Sequence, residues 1–304
     1  MKVALLCPGQ GSQFVGMGKE FWNLSISSKE KYDNASQILG FDISEISFNG
    51  PDDKLKKTQY TQPAIFIHSY IAATELKNKY DIQFSIGAGH SLGEITALTI
   101  ANSISFEDAV EIIKVRANSM AEAGNINPGK MAAIIGATNK QIDIICNQTG
   151  IIVPANLNAQ GQVVISGEID AVNSAIETAK SIGIRRVLPL NVSGAFHSPL
   201  MSSARENLLK VINSTHFKDS DFPIIQNVTA EPAEKSDEIK KNLISQLENP
   251  VRWSQSIEKI NDLGIIKFIE CGPGKVLSGL NRRILKKSIN FNIGTPQEIN
   301  EFKA

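Results

Sequence analysis

The sequence predicts an α/β protein in which a large part built on a parallel sheet carries an inserted ferredoxin-like unit. Three observations support this. Strand-like and helix-like segments alternate over residues 1–126, the rhythm of a mostly parallel sheet. Between residues 127 and 194 the order becomes strand, helix, strand, strand, helix, strand, the split unit of ferredoxin-like folds. After Gly194 the first rhythm resumes. The middle unit spans about 65 residues, small for an independent core, and is read as an insertion. The expected organisation is a large subdomain from residues 1–126 and 195–304, with a small subdomain at 127–194. The length of 304 residues is equally compatible with two domains of roughly 150 each.

The elements follow in order. Lys2–Cys7 is a short apolar strand running into the glycine-rich turn Pro8-Gly9-Gln10-Gly11-Ser12-Gln13. Pro63–Leu76 is almost uniformly hydrophobic around Ile65, Phe66, Ile67, Tyr70 and Ile71, the pattern of a buried helix. Ser85–Gly89 reads as a strand, and a helix follows through Leu92, Ile95, Leu98 and Ala101. Ser105, with Asp108 three residues on, is a capping box opening a helix to about Ala123. Asn125-Ile126-Asn127-Pro128-Gly129 is a break. In the inserted unit, strands are expected at Met131–Gly136, Ile151–Ala155, Val163–Ser166 and Arg186–Asn191, with helices at Asn139–Gln148 and Ile169–Ile182. The large part then continues with a helix from Pro199 to Val211 and a strand near Pro223–Asn227. A helix at Asp237–Leu247, a strand at Ile265–Glu270 and a helix opened by Gly272-Pro273-Gly274 complete it.

Charge and cysteine content narrow the function classes. Lys+Arg and Asp+Glu are both 31, so the formal charge is zero, which argues against a protein that coats nucleic acid or an anionic membrane. The apolar run at the N-terminus is too short for a signal-peptide core, and no stretch approaches the ~20 apolar residues of a membrane span. Cys7, Cys146 and Cys271 are scattered without short-range pairing, so neither a disulfide framework nor a Cys/His metal site is expected. A soluble cytoplasmic protein is expected.

The sharpest chemical signal is Gly89-His90-Ser91-Leu92-Gly93, a G-x-S-x-G pentapeptide placed between a strand and a helix. In that context the glycines permit a tight turn that exposes the Ser91 hydroxyl, and the Leu92 amide at the helix start can point at an oxyanion. The large part is accordingly expected to be α/β-hydrolase-like. A serine nucleophile needs a base. His90 is directed away by the turn, His68 lies in the most apolar helix, and His216 sits in the polar stretch Asn213-Ser214-Thr215-His216. His197, in the loop Ser193-Gly194-Ala195-Phe196-His197-Ser198-Pro199, is presented where a cleft between subdomains is expected and is the favoured base. Arg116 has no acid within one turn on its own helix. It suits either an exposed arginine lying over apolar surface or bidentate capture of a substrate carboxylate. The turn Gly9–Gln13 lacks the lysine and spacing of a P-loop, and its amides are expected to face the nucleophile instead. The run Arg282–Lys287 reads as a solvated helix face or as a contact for an acidic partner.

These motifs occur together with Gln246-Leu247-Glu248-Asn249-Pro250-Val251-Arg252-Trp253 and Glu270-Cys271-Gly272-Pro273-Gly274. In that order, and essentially end to end, the chain resembles the malonyl-CoA:acyl-carrier-protein transacylases of dissociated fatty-acid synthesis. The resemblance implies ping-pong transfer of malonyl from malonyl-CoA to the phosphopantetheine thiol of holo acyl carrier protein, an acidic partner. It implies Ser91 as nucleophile, His197 as base, and the Gln246 main-chain carbonyl orienting the histidine. It also implies Gln10 and Leu92 amides as the oxyanion hole, Arg116 paired with the malonate carboxylate, and Asn156 and Asn158 near the pantetheine arm. Phe196 implies malonyl over methylmalonyl, since a bulky ring fills the space of an α-methyl. No bound cofactor or metal is implied, and a monomer is expected. Ala121, and Ala159-Gln160 where Ser-Pro or Cys-Pro is usual, depart from the family pattern without removing a catalytic group. A hydrolase using the same Ser91 and His197, a stand-alone polyketide acyltransferase and a non-catalytic carrier-binding scaffold are the competing readings.

Overall fold

The computed structural model describes residues 2–303; residues 1 and 304, the outer limits of the large part, lie outside them. Among the described residues the strands are β1 (Ala4–Cys7), β2 (Ile86–Gly89), β3 (Gly129–Ile135), β4 (Ile152–Ala159), β5 (Gln162–Glu168), β6 (Arg186–Pro189), β7 (Ile224–Ile225), β8 (Pro232–Ala233), β9 (Lys267–Cys271) and β10 (Ile289–Ile293). They form one sheet in the order β10-β9-β1-β2-β7-β8 and another in the order β4-β5-β3-β6. The first is parallel except for its β7–β8 edge. The second is wholly antiparallel, and its order is that of a ferredoxin-like sheet.

β1 and β2 sit in the middle of the large sheet and are buried on both faces. Side chains of β1 alternate between two cores. Leu5 and Cys7, with Val3 just before the strand, pack in the cluster that holds Ile65 and Phe66, whereas Ala4 and Leu6 join Trp253, Ile257 and Leu277. The small sheet has its own core, with Ile134, Ile165, Val172 and Ile176 packed between strands and helices. The two parts meet through β4, whose Leu157 amide donates to the Val251 carbonyl at 2.8 Å.

Several boundaries differ from the sequence pattern for physical reasons. The buried helix runs Thr58–Tyr80, with Pro63 inside it rather than at its start. Burial of Thr58, Thr61 and Gln62 supports an extra turn that proline, lacking an N–H, would not favour alone. Ser105 caps its helix by accepting the Asp108 amide at 3.0 Å, but the Asp108 carboxylate accepts the Ser105 hydroxyl, so the reciprocal half of the capping box is missing. That helix runs Phe106–Ile126, two residues into the expected break, which narrows to Asn127 and Pro128 before β3 begins at Gly129. The strand expected at Pro223–Asn227 contracts to β7, and Pro199–Val211 divides into a 3₁₀ turn and the helix Ser202–Ser214. Four helices between Lys19 and Leu55, the helix Trp253–Asp262, β10 and the helix Pro296–Glu301 carry no pattern assigned above. Among the described residues no helix is long and apolar enough to cross a membrane.

Glycine has contrasting costs in this architecture. A Cβ at Gly93 would run into the backbone of Cys7 and Pro8, so Gly93→Ala should destabilise by ~1–3 kcal/mol through overpacking. Gly279, inside the helix Val276–Ile284, has nothing near its absent Cβ. Gly279→Ala should stabilise by roughly 0.5–1 kcal/mol. Denaturant unfolding checks both; like-signed changes would contradict this packing.

Candidate active site

The site is assembled at the carboxyl ends of β1 and β2, where ligands commonly bind in open α/β sheets. β2 ends in Gly89, and the helix Leu92–Ile100 begins two residues after His90. Between them Ser91 takes φ 52° and ψ −104°, a conformation that a residue with a Cβ rarely adopts. The turn closes so tightly that a Cβ at Gly89 would strike the Gly93 backbone. The His90 amide donates to the Cys7 carbonyl at 3.0 Å, tying the turn to β1. Gly9 lies against the His90 carbonyl, which only a residue without Cβ allows, and this brings Gln10 to the cavity wall.

Ser91 Oγ lies 2.8 Å from His197 Nε2. His197 Nδ1 lies 3.0 Å from the Gln246 carbonyl and 3.1 Å from the Asn249 carbonyl. Carbonyl oxygens only accept, so Nδ1 carries the proton, Nε2 is the acceptor, and the Ser91 hydroxyl donates to it. His197 has a positive φ of 58° in a loop stiffened by Ser198 Oγ, which donates to the Ala195 carbonyl at 2.6 Å. The same loop packs on the helix Phe106–Ile126, because Gly124 lets the Ser193 carbonyl approach its backbone. Burial and then the Arg116 charge push His197 down to about 3, against the two carbonyls that favour its protonated form.

Arg116 is only 1% exposed, so it is not the surface arginine that its sequence context equally allowed. One terminal nitrogen donates to Gln62 Oε1 at 2.7 Å; the other donates to Ser91 Oγ and to Gln246 Oε1, both at 2.9 Å. Every one of these partners is neutral. Burial lowers its pKa to about 10, opposed by the charge of Glu94. Gln62 was not visible as a site residue in the sequence, where it stands in the polar run immediately before Pro63 and the apolar helix. Asn227 and Asn249 likewise had no local signal.

An inner cavity of about 90 Å³ is lined by Ser91, Leu92, Arg116, Met120, Met131, Phe196 and His197 among others. An outer cavity of about 460 Å³ shares Gln10, His90, Asn156, Leu190 and Val192 with it, and reaches Lys56, Asn158 and Gln162. The combined space is of the size that holds an extended small-molecule chain. Asn158 Oδ1 accepts a hydrogen bond from His90 Nε2 at 2.9 Å, so His90, which borders both cavities, is paired with Asn158 and not with Ser91. Asn156 Oδ1 is buried without a hydrogen-bond partner, an acceptor available to a ligand donor. His68 is a core histidine, its Nε2 2.9 Å from the Gly294 carbonyl, and His216 is exposed. Arg283 is not simply solvated: it donates to Gln162 Oε1 at 2.5 Å, joining the last large helix to β5. Among the described residues no group of three or more His, Cys, Asp or Glu side chains is placed to hold a metal ion.

Comparison with known proteins gives the family. The model of the acyl transferase domain matches residues 4–294. A malonyl CoA-acyl carrier protein transacylase of Staphylococcus aureus (strain MSSA476) is 42% identical over 302 residues, covering 98% of this chain and 97% of the relative. The malonyl CoA-acyl carrier protein transacylase of Coxiella burnetii superposes with a TM-score of 0.95 at 35% identity, over 99% of this chain and 96% of that one. A malonyl-transacylase solved in complex with its type II PKS acyl-carrier protein matches with a TM-score of 0.95 at 36% identity, over 99% and 98% of the two chains. With that similarity running end to end and the Ser–His–Arg cluster at its centre, the chain belongs to the acyltransferase family of malonyl-CoA:acyl-carrier-protein transacylases.

Proposed function

We propose that the protein transfers a malonyl group from malonyl-CoA to the phosphopantetheine thiol of holo acyl carrier protein, through an acyl-enzyme on Ser91, and so feeds fatty-acid synthesis. The observation that carries this reading is the meeting, in one cavity, of a Ser–His pair and a buried guanidinium whose hydrogen-bond partners are all neutral. A carboxylate at one end of an acyl group would meet the cation while its thioester carbonyl meets the hydroxyl.

The chemistry follows from the groups present. Ser91 Oγ attacks the thioester carbon as its proton passes to His197 Nε2. The tetrahedral oxyanion is assigned to the main-chain amides of Gln10 and Leu92, both on the cavity wall, Leu92 opening a helix whose start favours negative charge. The C–S bond breaks, coenzyme A leaves with the proton from His197, and the malonyl ester remains on Ser91. The carrier thiol then enters, gives its proton to His197 and attacks the ester, and Ser91 Oγ recovers that proton as it departs. Gln246 acts through its carbonyl, which keeps His197 in the productive tautomer. Asn156 and Asn158 are assigned to the pantetheine arm, whose amide donors suit the unpartnered Asn156 Oδ1. Phe196, on the inner wall, is assigned to exclusion of an α-methyl group, worth about 1–3 kcal/mol.

The cleft is read as lying between a large subdomain of residues 1–126 and 195–304 and a small one of 127–194. The carrier is read as approaching the outer cavity, where Lys56 and, beside Gln162, Arg283 offer positive charge to an acidic partner. The protein is read as a monomer that needs no bound cofactor and works in the cytoplasm.

Intact-mass analysis after incubation with malonyl-CoA tests the reading directly. A malonyl adduct on Ser91 that moves to added holo carrier protein is expected, and Ser91→Ala should give none. An adduct lost at equal rates with and without carrier would mean a hydrolase, and labelling elsewhere would remove Ser91 from its role. Arg116→Ala should slow malonyl transfer about a hundredfold or more, since it loses charge-assisted hydrogen bonds of ~1.5–3 kcal/mol each. Acetyl transfer, which offers no carboxylate, should lose much less; equal losses would make Arg116 structural. Because His197 is held near 3, acylation should show no acid limb near its ordinary value of 6.5. In Arg116→Ala the limb should move upward, since a neighbouring cation no longer opposes protonation. Stopped-flow acylation across the acidic range checks this, and a wild-type limb near 6.5 would contradict it.

A further inference from the structure

Asn227 follows β7, is 1% exposed, and has all four of its polar groups engaged. Its Oδ1 accepts the Ser91 amide at 2.7 Å and its Nδ2 donates to the Gly89 carbonyl at 2.7 Å. Its own amide donates to Glu94 Oε2 at 2.6 Å, and its carbonyl accepts the Arg252 amide at 3.1 Å. One side chain thus spans the turn on both sides of His90, while its backbone ties that turn to the first turn of the following helix. The Arg252 bond adds the segment just downstream of the Gln246 and Asn249 carbonyls that hold His197. Glu94 is fully buried, and its second oxygen, Oε1, has no hydrogen-bond partner. Burying a carboxylate is costly unless hydrogen bonds and nearby charge compensate it, and here the Asn227 amide supplies the hydrogen bond. Neither Asn227 nor Glu94 lines either cavity.

We propose that Asn227 and Glu94 form a clamp that holds the Ser91 turn in its unfavourable backbone conformation, and that both are positioning residues for the acyl transfer. The Ser91 amide and the Gly89 carbonyl point out of the regular sheet and helix ladders, and Asn227 supplies an acceptor and a donor in the spacing that these two groups require. Glu94 fixes the Asn227 main chain, and with it the point from which the side-chain amide reaches the Ser91 amide and the Gly89 carbonyl. Displacement of the turn by a fraction of an ångström moves Ser91 Oγ from His197 and the Leu92 amide from the oxyanion together.

This inference rests on the acyl-enzyme reading, and its test separates the two. Single-turnover acylation by malonyl-CoA gives a limiting rate and a half-saturating concentration for each variant. Asn227→Asp keeps an acceptor for the Ser91 amide but sets a carboxylate oxygen against the Gly89 carbonyl. Its limiting rate should fall tenfold or more, within the ~10²-fold that a misplaced reacting group costs. Its half-saturating concentration should stay within about twofold, because Arg116 and the cavity wall are untouched. Glu94→Ala should lose limiting rate to a similar extent, and Glu94→Gln, whose amide oxygen still accepts the Asn227 N–H, should recover most of that rate although it too lacks the charge felt by Arg116. Circular dichroism melting establishes that each variant is folded; if Glu94→Ala is not, the isosteric Asn227→Asp decides alone. A limiting rate for folded Asn227→Asp within twofold of wild type, or a loss confined to the half-saturating concentration, would overturn the clamp. Wild-type protein that forms no Ser91 adduct would overturn the acyl-enzyme reading and the clamp with it, whereas normal wild-type acylation beside unaffected variants removes the clamp only.

Discussion

The turn at Ser91 is the constraint around which the molecule is arranged. A serine with φ 52° and ψ −104° stands where a strand passes directly into a helix, with no loop between to absorb the change of direction. This is possible only because β1, β2 and the helix Leu92–Ile100 approach one another at backbone distance, with Gly89 against Gly93 and Gly93 against Cys7. Such a conformation costs on the order of 1–3 kcal/mol and persists where the surroundings over-determine it. Here they do so through the fully buried strands on either side and the hydrogen bonds from Asn227, Gln246 and Cys7. His197, hydrogen-bonded to Ser91, also has positive φ. The two residues in hydrogen-bond contact at the centre of the cavity are therefore both held by their neighbours and not by local preference.

Electrostatics are concentrated in the same place. The ion pairs of the protein join partly or largely exposed side chains, for example Lys180 with Glu177 and Lys210 with Glu206, and such pairs contribute little. Arg116 is different: a buried cation with three neutral hydrogen-bond acceptors and a carboxylate, Glu94, near enough to act through space but not bonded to it. Burial pushes Glu94 up to about 7, while the Asn227 amide and the Arg116 charge pull it down. Pairing Arg116 directly with a protein carboxylate would satisfy the guanidinium and leave nothing for a ligand. Glutamine carbonyls hold its direction while leaving its charge incompletely compensated, which is the condition under which an anionic substrate group is worth binding.

The sequence by itself determined what depends on local chemistry and pattern. The strand–turn–helix context of Gly89–Gly93 marked Ser91, the alternation of elements gave two sheets and the inserted order of strands, and the near-uniform apolarity of Ile65–Ile71 gave a buried helix, because each of these is written within a few residues. Only the tertiary structure decided what depends on residues far apart in the chain. Arg116 had no acid on its own helix, and whether it was exposed or buried turned on Gln62 and Gln246, which reach it from distant elements. Asn227 sits in an unremarkable stretch after a two-residue strand, and its importance arises entirely from parallel sheet order, which sets β7 beside β2. The helices between Lys19 and Leu55 bury only narrow stripes, such as Tyr32, Ala35 and Leu39 in Ile26–Leu39, and are held by packing on one another and on the helices Thr58–Tyr80 and Phe106–Ile126. Local sequence specifies a turn, a cap or a buried face through interactions it contains; a buried polar network is specified by partners that only the closed sheet brings within 3 Å of one another.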